Sequence, residues 1–269
     1  MTDKYCVIGN PIAHSKSPDI HPVYARQTGQ DLVYERCLAP LDGFAATVQR
    51  LVAEGYRGAN VTLPFKIEAA GVCTRLEERA RAAGAVNTLS FDRGEIVGDN
   101  TDGPGLVADI TRNAGREIRG KRVLLLGAGG AARGALLPII QQEPCEIVIA
   151  NRTVATADAL ARDFGRHGVP IRASGFAEVD GGFDIVINAT SGSLAGELPP
   201  VPAAVFGPGS LALDMMYGSQ PTVFMEFAAR HGAVVRDGLG MLVEQAAEAF
   251  AIWRGERPDT AEVFGMLRP

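Results

Sequence analysis

The sequence predicts an α/β fold in two domains, and three observations carry that reading. Short β-rich runs alternate with helical patterns along the whole chain, the signature of mainly parallel sheets. From Lys121 onward six apolar strand candidates follow one another, the count of a complete doubly wound sheet. The 269 residues, 46% hydrophobic and 21% charged, supply two ordinary globular domains and leave little room for disorder. Residues 1–101 and 238–269 form the first domain, and residues 102–237 are inserted into it as the second. The chain then crosses between domains near Asp102 and near Gly238, which predicts a cleft with hinge closure.

In the first domain the strands are YCVI, DLVYERCL, GANVTL and the pair VNTLSF and EIVGDN, the last two joined as a hairpin through Asp92, Arg93 and Gly94. Helical patterns cover residues 18–28, 42–54 and 65–83. Ser17, Pro18 and Asp19 read as a helix start, with serine at the N-cap, proline next and an acid in the first turn. In the second domain the strands are RVLLLG, EIVIAN, PIRAS, DIVINAT, LALDMM and AVVRD. Pro138, without an amide hydrogen, predicts a kink in the helix after the first of them. Residues 237–240, Asp-Gly-Leu-Gly, read as a turn or hinge, and MLVEQAAEAFAIWRG after them as a helix that packs back on the first domain.

Composition excludes several classes. A net charge of −5 argues against a general nucleic-acid or anionic-membrane binder, which needs a concentrated basic surface. Cys6, Cys37, Cys73 and Cys145 are scattered with no Cys-x-x-Cys pair, as expected of reduced thiols used for packing. His14, His21, His167 and His231 have no metal-ligand spacing, so no metal is expected. MTDKYCVIGN has no apolar signal region, and no run of about 18 apolar residues follows anywhere, so the reading is of a cytoplasmic protein; it is expected to act on a small molecule as a monomer, with a dimer as the alternative.

The clearest motif is RVLLLGAGGAARGA. A strand ends at Gly127, and Gly129 and Ala132 stand where a dinucleotide-binding turn needs small residues, ahead of a helix whose amides and dipole favour phosphate. The next strand ends in NRT instead of the acid that would bond a ribose 2′-hydroxyl. Asn151 removes the carboxylate while Arg152 and Thr153 suit a 2′-phosphate, so NADP is favoured over NAD.

Three polar clusters remain in the first domain: Asn60, Thr62 and Lys66 in GANVTLPFK, Asn87 in GAVNTL, and Asp102 in GDNTDGPG. Each falls at or just after a strand, where α/β sheets present side chains to a crevice. Singly they are ordinary turn formers and surface residues. With NPIAHSKSP, NATSG, LDMMY and DGLGMLVEQA they form an ordered set, and on that set the chain closely resembles the shikimate dehydrogenase family over nearly its whole length.

The resemblance implies two α/β domains, substrate-binding and NADP-binding Rossmann-like, with the active site in the cleft, and NADPH-dependent reduction of 3-dehydroshikimate. Ser15 and Ser17 match the hydroxyl donors to the substrate carboxylate, and Asn60, Thr62, Asn87, Asp102 and Gln245 the groups around its ring hydroxyls, with Tyr217 on the substrate side. Lys66 matches the acid/base, with Asp102 orienting it. On the cofactor side the resemblance implicates Gly127, Ala128, Gly129, Gly130 and Ala131, the segment Asn151, Arg152, Thr153 and Thr156, then Met215, Gly238 and Glu78. Members often carry a further basic residue after NRT. Here Val154, Ala155 and Thr156 follow, so discrimination against NAD is expected to be weaker. Rival readings are a quinate/shikimate dehydrogenase and a non-catalytic NADP sensor, which would have no need of Lys66 and Asp102 together.

Overall fold

A computed structural model of the chain describes residues 2–268. In chain order the first elements are β1 (Asp3–Gly9), α1 (Ser17–Gln27), β2 (Leu32–Leu38), α2 (Phe44–Ala53), β3 (Tyr56–Val61), α3 (Glu68–Val72), β4 (Arg75–Leu76), α4 (Glu78–Ala83), β5 (Thr88–Asp92), β6 (Glu95–Asp99) and α5 (Asp102–Ala108). A π-helical turn over Asp109–Asn113 leads to β7 (Arg122–Leu126), α6 (Gly130–Ile140), β8 (Glu146–Ala150), α7 (Val154–Phe164), β9 (Ile171–Ser174), β10 (Ile185–Asn188), β11 (Leu211–Asp214), α8 (Val223–Arg230), β12 (Val234–Arg236), α9 (Leu239–Arg254) and α10 (Ala261–Leu267). Two compact units result, residues 1–105 with 242–269 and residues 106–241, so the divisions fall inside α5 and α9.

The first unit holds a six-stranded mixed sheet in the order β2-β1-β3-β5-β6-β4. Strands β1, β2 and β3 are parallel, whereas β5 runs antiparallel to both β3 and β6. The hairpin turn places Arg93 and Gly94 at φ 47° and 86°, the left-handed pair that a tight two-residue connection requires. Central β1 is covered on both faces: Cys6 and Ile8 join Phe44, Val48, Leu51 and Phe65 on one side, and Tyr5 and Val7 pack with Ile12 and Tyr34 on the other. Helix α9 supplies Val243, Ala246, Ala247 and Phe250 to a cluster with Ile20, Val23 and Tyr24 of α1. Burying such side chains gives about 1.5–3 kcal/mol each before the cost of ordering them.

The single helix expected over 65–83 is two short helices separated by β4. Thr74 accounts for the break: its amide and hydroxyl donate to the Ile96 carbonyl and its Oγ1 accepts from the Ile96 amide, fastening the chain to β6. Pro138 lies inside α6, which continues past it to Ile140. The turn expected at 237–240 is only half a turn, because Leu239 and Gly240 already belong to α9. Those glycines serve close approach: a Cβ on Gly238 would strike the Met215 carbonyl, and one on Gly240 the buried Asp109 carboxylate, which pairs with Arg236 at 2.6 Å.

The second unit is an all-parallel sheet in the order β12-β11-β10-β7-β8-β9. Counted from β7, this is the strand order of the doubly wound dinucleotide-binding fold, with its switch point between β7 and β10. The four central strands are buried throughout their lengths apart from the half-exposed ends Arg122 and Glu146, as parallel strands covered on two faces must be.

Candidate active site

In the first unit the candidate residues converge at the carboxyl ends of β1 and β3 and at the turn into α5. The chain after β3 turns sharply, the Phe65 amide donating to the Thr62 carbonyl. Phe65 is buried and stacks on Phe44 at 4.9 Å, so an apolar anchor holds the turn whose next residue is Lys66. The Lys66 Nζ donates to Asp102 Oδ2 at 2.6 Å, both side chains about a quarter exposed. Asp102 is the first residue of α5, and its amide donates to Asn100 Oδ1.

Asn87 joins this pair to the sheet. The Thr101 amide donates to its Oδ1 at 2.8 Å, which turns the Nδ2 toward Asp102 Oδ1, also at 2.8 Å. The second oxygen of Asp102 is thereby left for the lysine. Asn60, buried at the end of β3, donates from Nδ2 to the Asn87 carbonyl and to Thr88 Oγ1, and Thr88 Oγ1 donates to Asn87 Oδ1. Gln245 on α9 donates to the Leu242 carbonyl and presents Oε1 to Asn87 Nδ2 and Thr101 Oγ1 at 3.4 Å each. The polar group on an apolar helix is thus partly bonded within the network and half-exposed.

At the start of α1 the two serines exchange their expected parts. The N-cap is Lys16, Ser17 is the first helical residue, and the Ser17 amide donates to Ser15 Oγ at 3.3 Å. Ser15, half-exposed, therefore supports the turn, and the buried Ser17 makes no cap bond. The reason is steric: with Pro18 at the second helical position, the free amide nearest the turn belongs to Ser17 itself. Glu78 is exposed at the first position of α4. Its neighbour Arg79 does the bonding there, forking onto Asp99 at 2.6 and 2.9 Å with Glu248 at 2.9 Å.

In the second unit, Gly127 directly follows β7 at φ +100° with Thr190 and Ala189 against it, a position closed to other residues. Gly129 is the N-cap of α6, a Cβ on Gly129 or Gly130 would meet open space, and residues 129–131 are exposed, so the first turn of this eleven-residue helix, whose amides have no partner within the helix, is open to solvent. Asn151 follows β8, its Nδ2 donating to the Thr153 carbonyl, and Thr153 is the N-cap of α7. Arg152 and Thr156 are exposed, and Arg152 makes no ion pair among the described residues. Met215 is buried after β11, and the Gly238 amide donates to the Met216 carbonyl at 2.9 Å. Tyr217 is 46% exposed, its phenol pKa raised by partial burial and by the Asp237 charge.

Sequence reading missed several residues that build these sites. Tyr34 donates to Asn60 Oδ1 at 2.7 Å, Thr88 and Thr101 sit inside the asparagine network, and Arg79 with Asp99 braces the strand that leads to Asp102. In the second unit the buried Asp214 accepts from Ser193, Thr222 and the Met216 amide, tying the loops after β10 and β11 together. A carboxylate within an apolar strand, as in LALDMM, is the one signal that would have flagged Asp214.

The doubly wound sheet, the glycine turn at its switch point and the lysine–carboxylate pair of the first unit define a dinucleotide-dependent dehydrogenase of two α/β units. Family models agree: a shikimate dehydrogenase substrate-binding domain matches residues 7–89, shikimate/quinate 5-dehydrogenase matches 109–195, and the shikimate 5′-dehydrogenase C-terminal domain matches 238–263. A curated shikimate dehydrogenase (NADP(+)) from Herminiimonas arsenicoxydans is 63% identical, covering 100% of this chain and 98% of that protein. Among solved structures, a shikimate 5-dehydrogenase from Thermus thermophilus in complex with NADP(H) and shikimate is 31% identical with a TM-score of 0.86, covering 99% of each chain. An Ael1 enzyme from Pseudomonas putida is 49% identical at a TM-score of 0.94, covering 99% of this chain and 98% of that one. The chain belongs to the shikimate dehydrogenase family.

Proposed function

We propose that the chain catalyses the reversible NADPH-dependent reduction of 3-dehydroshikimate to shikimate, a step toward chorismate and the aromatic amino acids. The observation that carries this reading is the Lys66–Asp102 pair at 2.6 Å, wired through Asn87 to Asn60, in a chain 63% identical to an NADP(+)-dependent shikimate dehydrogenase. The first unit takes the substrate and the second the dinucleotide. A bound dihydronicotinamide supplies the hydride. As the ketone oxygen gains negative charge, the Lys66 ammonium gives it a proton, and in the oxidation direction neutral Lys66 takes that proton back. Asp102 holds the Nζ in place throughout.

The hydroxyls of Ser15 and Ser17, at the positive end of α1, suit the substrate carboxylate. Asn60, Thr62, Asn87, Asp102, Gln245 and Tyr217 provide mixed acceptors and donors for ring hydroxyls and carboxylate. The exposed start of α6 at Gly129, Gly130 and Ala131 fits a pyrophosphate, and the exposed Arg152 guanidinium beside Asn151 and Thr153, with no ion pair among the described residues, fits a 2′-phosphate. Met215, Gly238, Thr156 and Glu78 complete the cofactor set. The lack of a second cation at 154–156 supports only moderate preference for NADP over NAD.

The test is a four-way assay of the purified protein on shikimate and quinate, each with NADP+ and NAD+. Shikimate with NADP+ should give the highest kcat/KM. Comparable turnover of quinate would favour the broader shikimate/quinate activity, and absence of shikimate-dependent NADPH formation would favour a sensor. A cytoplasmic location is part of this reading, supported by the scattered cysteines, all free, and so is a monomer, with a dimer as the alternative. Light scattering tests the monomer, and no helix among the described residues is long and apolar enough to cross a membrane.

A further inference from the structure

Tyr34 lies on β2, outside the substrate and cofactor motifs, yet its hydroxyl reaches Asn60. The phenol is buried and donates to Asn60 Oδ1 at 2.7 Å. Its ring lies flat against His21, centroids 4.1 Å apart and planes within 7°, with Trp253 on the same side of the sheet. The ring therefore has no freedom to swing.

The orientation of the Asn60 carboxamide follows from chemistry, independently of which atom is drawn as nitrogen. The Asn87 backbone carbonyl can only accept, so Nδ2 must face it, at 3.2 Å. Oδ1 then faces Tyr34, whose hydroxyl must be the donor. Both amide hydrogens are committed, one to the Asn87 carbonyl and one to Thr88 Oγ1, and one Oδ1 lone pair is committed to Tyr34. The second Oδ1 lone pair has no partner at hydrogen-bonding geometry among the described residues, although the His21 ring faces the carboxamide, and it is the one acceptor position left.

We propose that Tyr34 is a positioning residue for the substrate: it locks the Asn60 carboxamide so that Asn60 meets a ligand as an acceptor only, selecting a ring hydroxyl that donates. The inference rests on the shikimate reading for its ligand. Its physical core, the locking of Asn60, stands apart from that reading. Without the Tyr34 hydroxyl the buried Oδ1 loses its donor, and the planar carboxamide is held against rotation only by the two bonds from its nitrogen to Asn87 and Thr88, one hydrogen bond fewer than before.

The experiment is Tyr34→Phe, which keeps the stacked ring and removes only the hydroxyl. With shikimate and NADP+, the KM for shikimate should rise about tenfold, with kcat within about twofold and the KM for NADP+ unchanged. In an Asn60→Ala background the same substitution should add less than about twofold, because it acts through Asn60. An unchanged shikimate KM, or the same loss in both backgrounds, overturns the proposal. A second readout needs no substrate: exchange of the Asn60 side-chain amide protons, followed by NMR, should accelerate about tenfold or more in Tyr34→Phe, and unchanged exchange overturns the locking. If the wild-type protein fails to oxidise shikimate, the functional reading fails and this exchange measurement alone decides the role of Tyr34.

Discussion

The Lys66 ammonium is held by a turn and an anchor ring, and the carboxylate it meets begins a different element. Removing the lysine should therefore leave the turn standing on Phe65 and take away only the proton donor. Lys66→Ala is expected to lower kcat by roughly 10²–10⁴-fold with less than about a tenfold change in the shikimate KM, measured by NADPH formation at saturating substrate. Near-normal turnover would remove Lys66 from the mechanism. The serine pair permits a finer separation. Ser15 Oγ accepts the Ser17 amide, so Ser15→Ala should raise the shikimate KM and also cost about 1 kcal/mol in unfolding, whereas Ser17→Ala should raise the KM without that cap loss. Equal unfolding costs in urea would contradict the assignment. At this scale the sequence shows lysines, asparagines and aspartates that follow strands. It does not show Tyr34, because an aromatic in a strand reads as core and its partner is 26 residues away across two strand pairings.

Elements were legible wherever local pattern and flanking punctuation agreed. The six parallel strands of the second unit and the 92–94 hairpin are of this kind, since apolar runs bounded by glycine leave little choice. Apart from the start of α1, where Pro18 sets the cap locally, the misreadings share one cause, which is that a distant partner decided the local conformation. Ile96 on β6 breaks the 65–83 helix at Thr74, and Asp109 and Met215 require the glycines that looked like a hinge at 238–240. Close helix contact gives a further consequence. A Cβ on Gly105 of α5 would lie 2.6 Å from the Gln245 amide nitrogen and 2.7 Å from its Cβ on α9, and backbone cannot yield as a side-chain tip does. Gly105→Ala should therefore destabilise by roughly 1–3 kcal/mol and, by moving Gln245, raise the shikimate KM. Denaturant unfolding and steady-state kinetics on the same variant check both halves, and a variant as stable as the parent would show that α5 and α9 are not in rigid contact.

For the molecule as a whole, the pH range of stability depends on one imidazole. His21 is buried among Tyr24, Tyr34, Phe250 and Trp253, with neither ring nitrogen at hydrogen-bonding geometry to any partner among the described residues. Asn60 faces the ring and opposes the effect slightly, but burial dominates and pushes the pKa from 6.5 to about 3. The folded protein thus holds His21 neutral, while the unfolded chain protonates it near its ordinary value. Between pH 6.5 and 3 the unfolded state binds more protons, so stability present above pH 6.5 is lost as pH falls, at up to about 1.4 kcal/mol per unit. The carboxylates whose pKa is lowered by arginine partners, Asp3, Glu146 and Asp180, lose that contribution only as pH falls below the ordinary carboxylate range, so they contribute little between pH 7 and 5. His21→Phe preserves a flat ring against Tyr34 and removes the titration. From pH 7 to pH 5 the wild-type protein should lose about 2 kcal/mol more than the variant in urea unfolding. Trp253, the chain's single tryptophan, stands 5.5 Å from the His21 ring centroid and reports the transition by fluorescence. Parallel loss in the two proteins would mean that His21 keeps a proton-accepting partner in solution, and that acid sensitivity arises elsewhere in the fold.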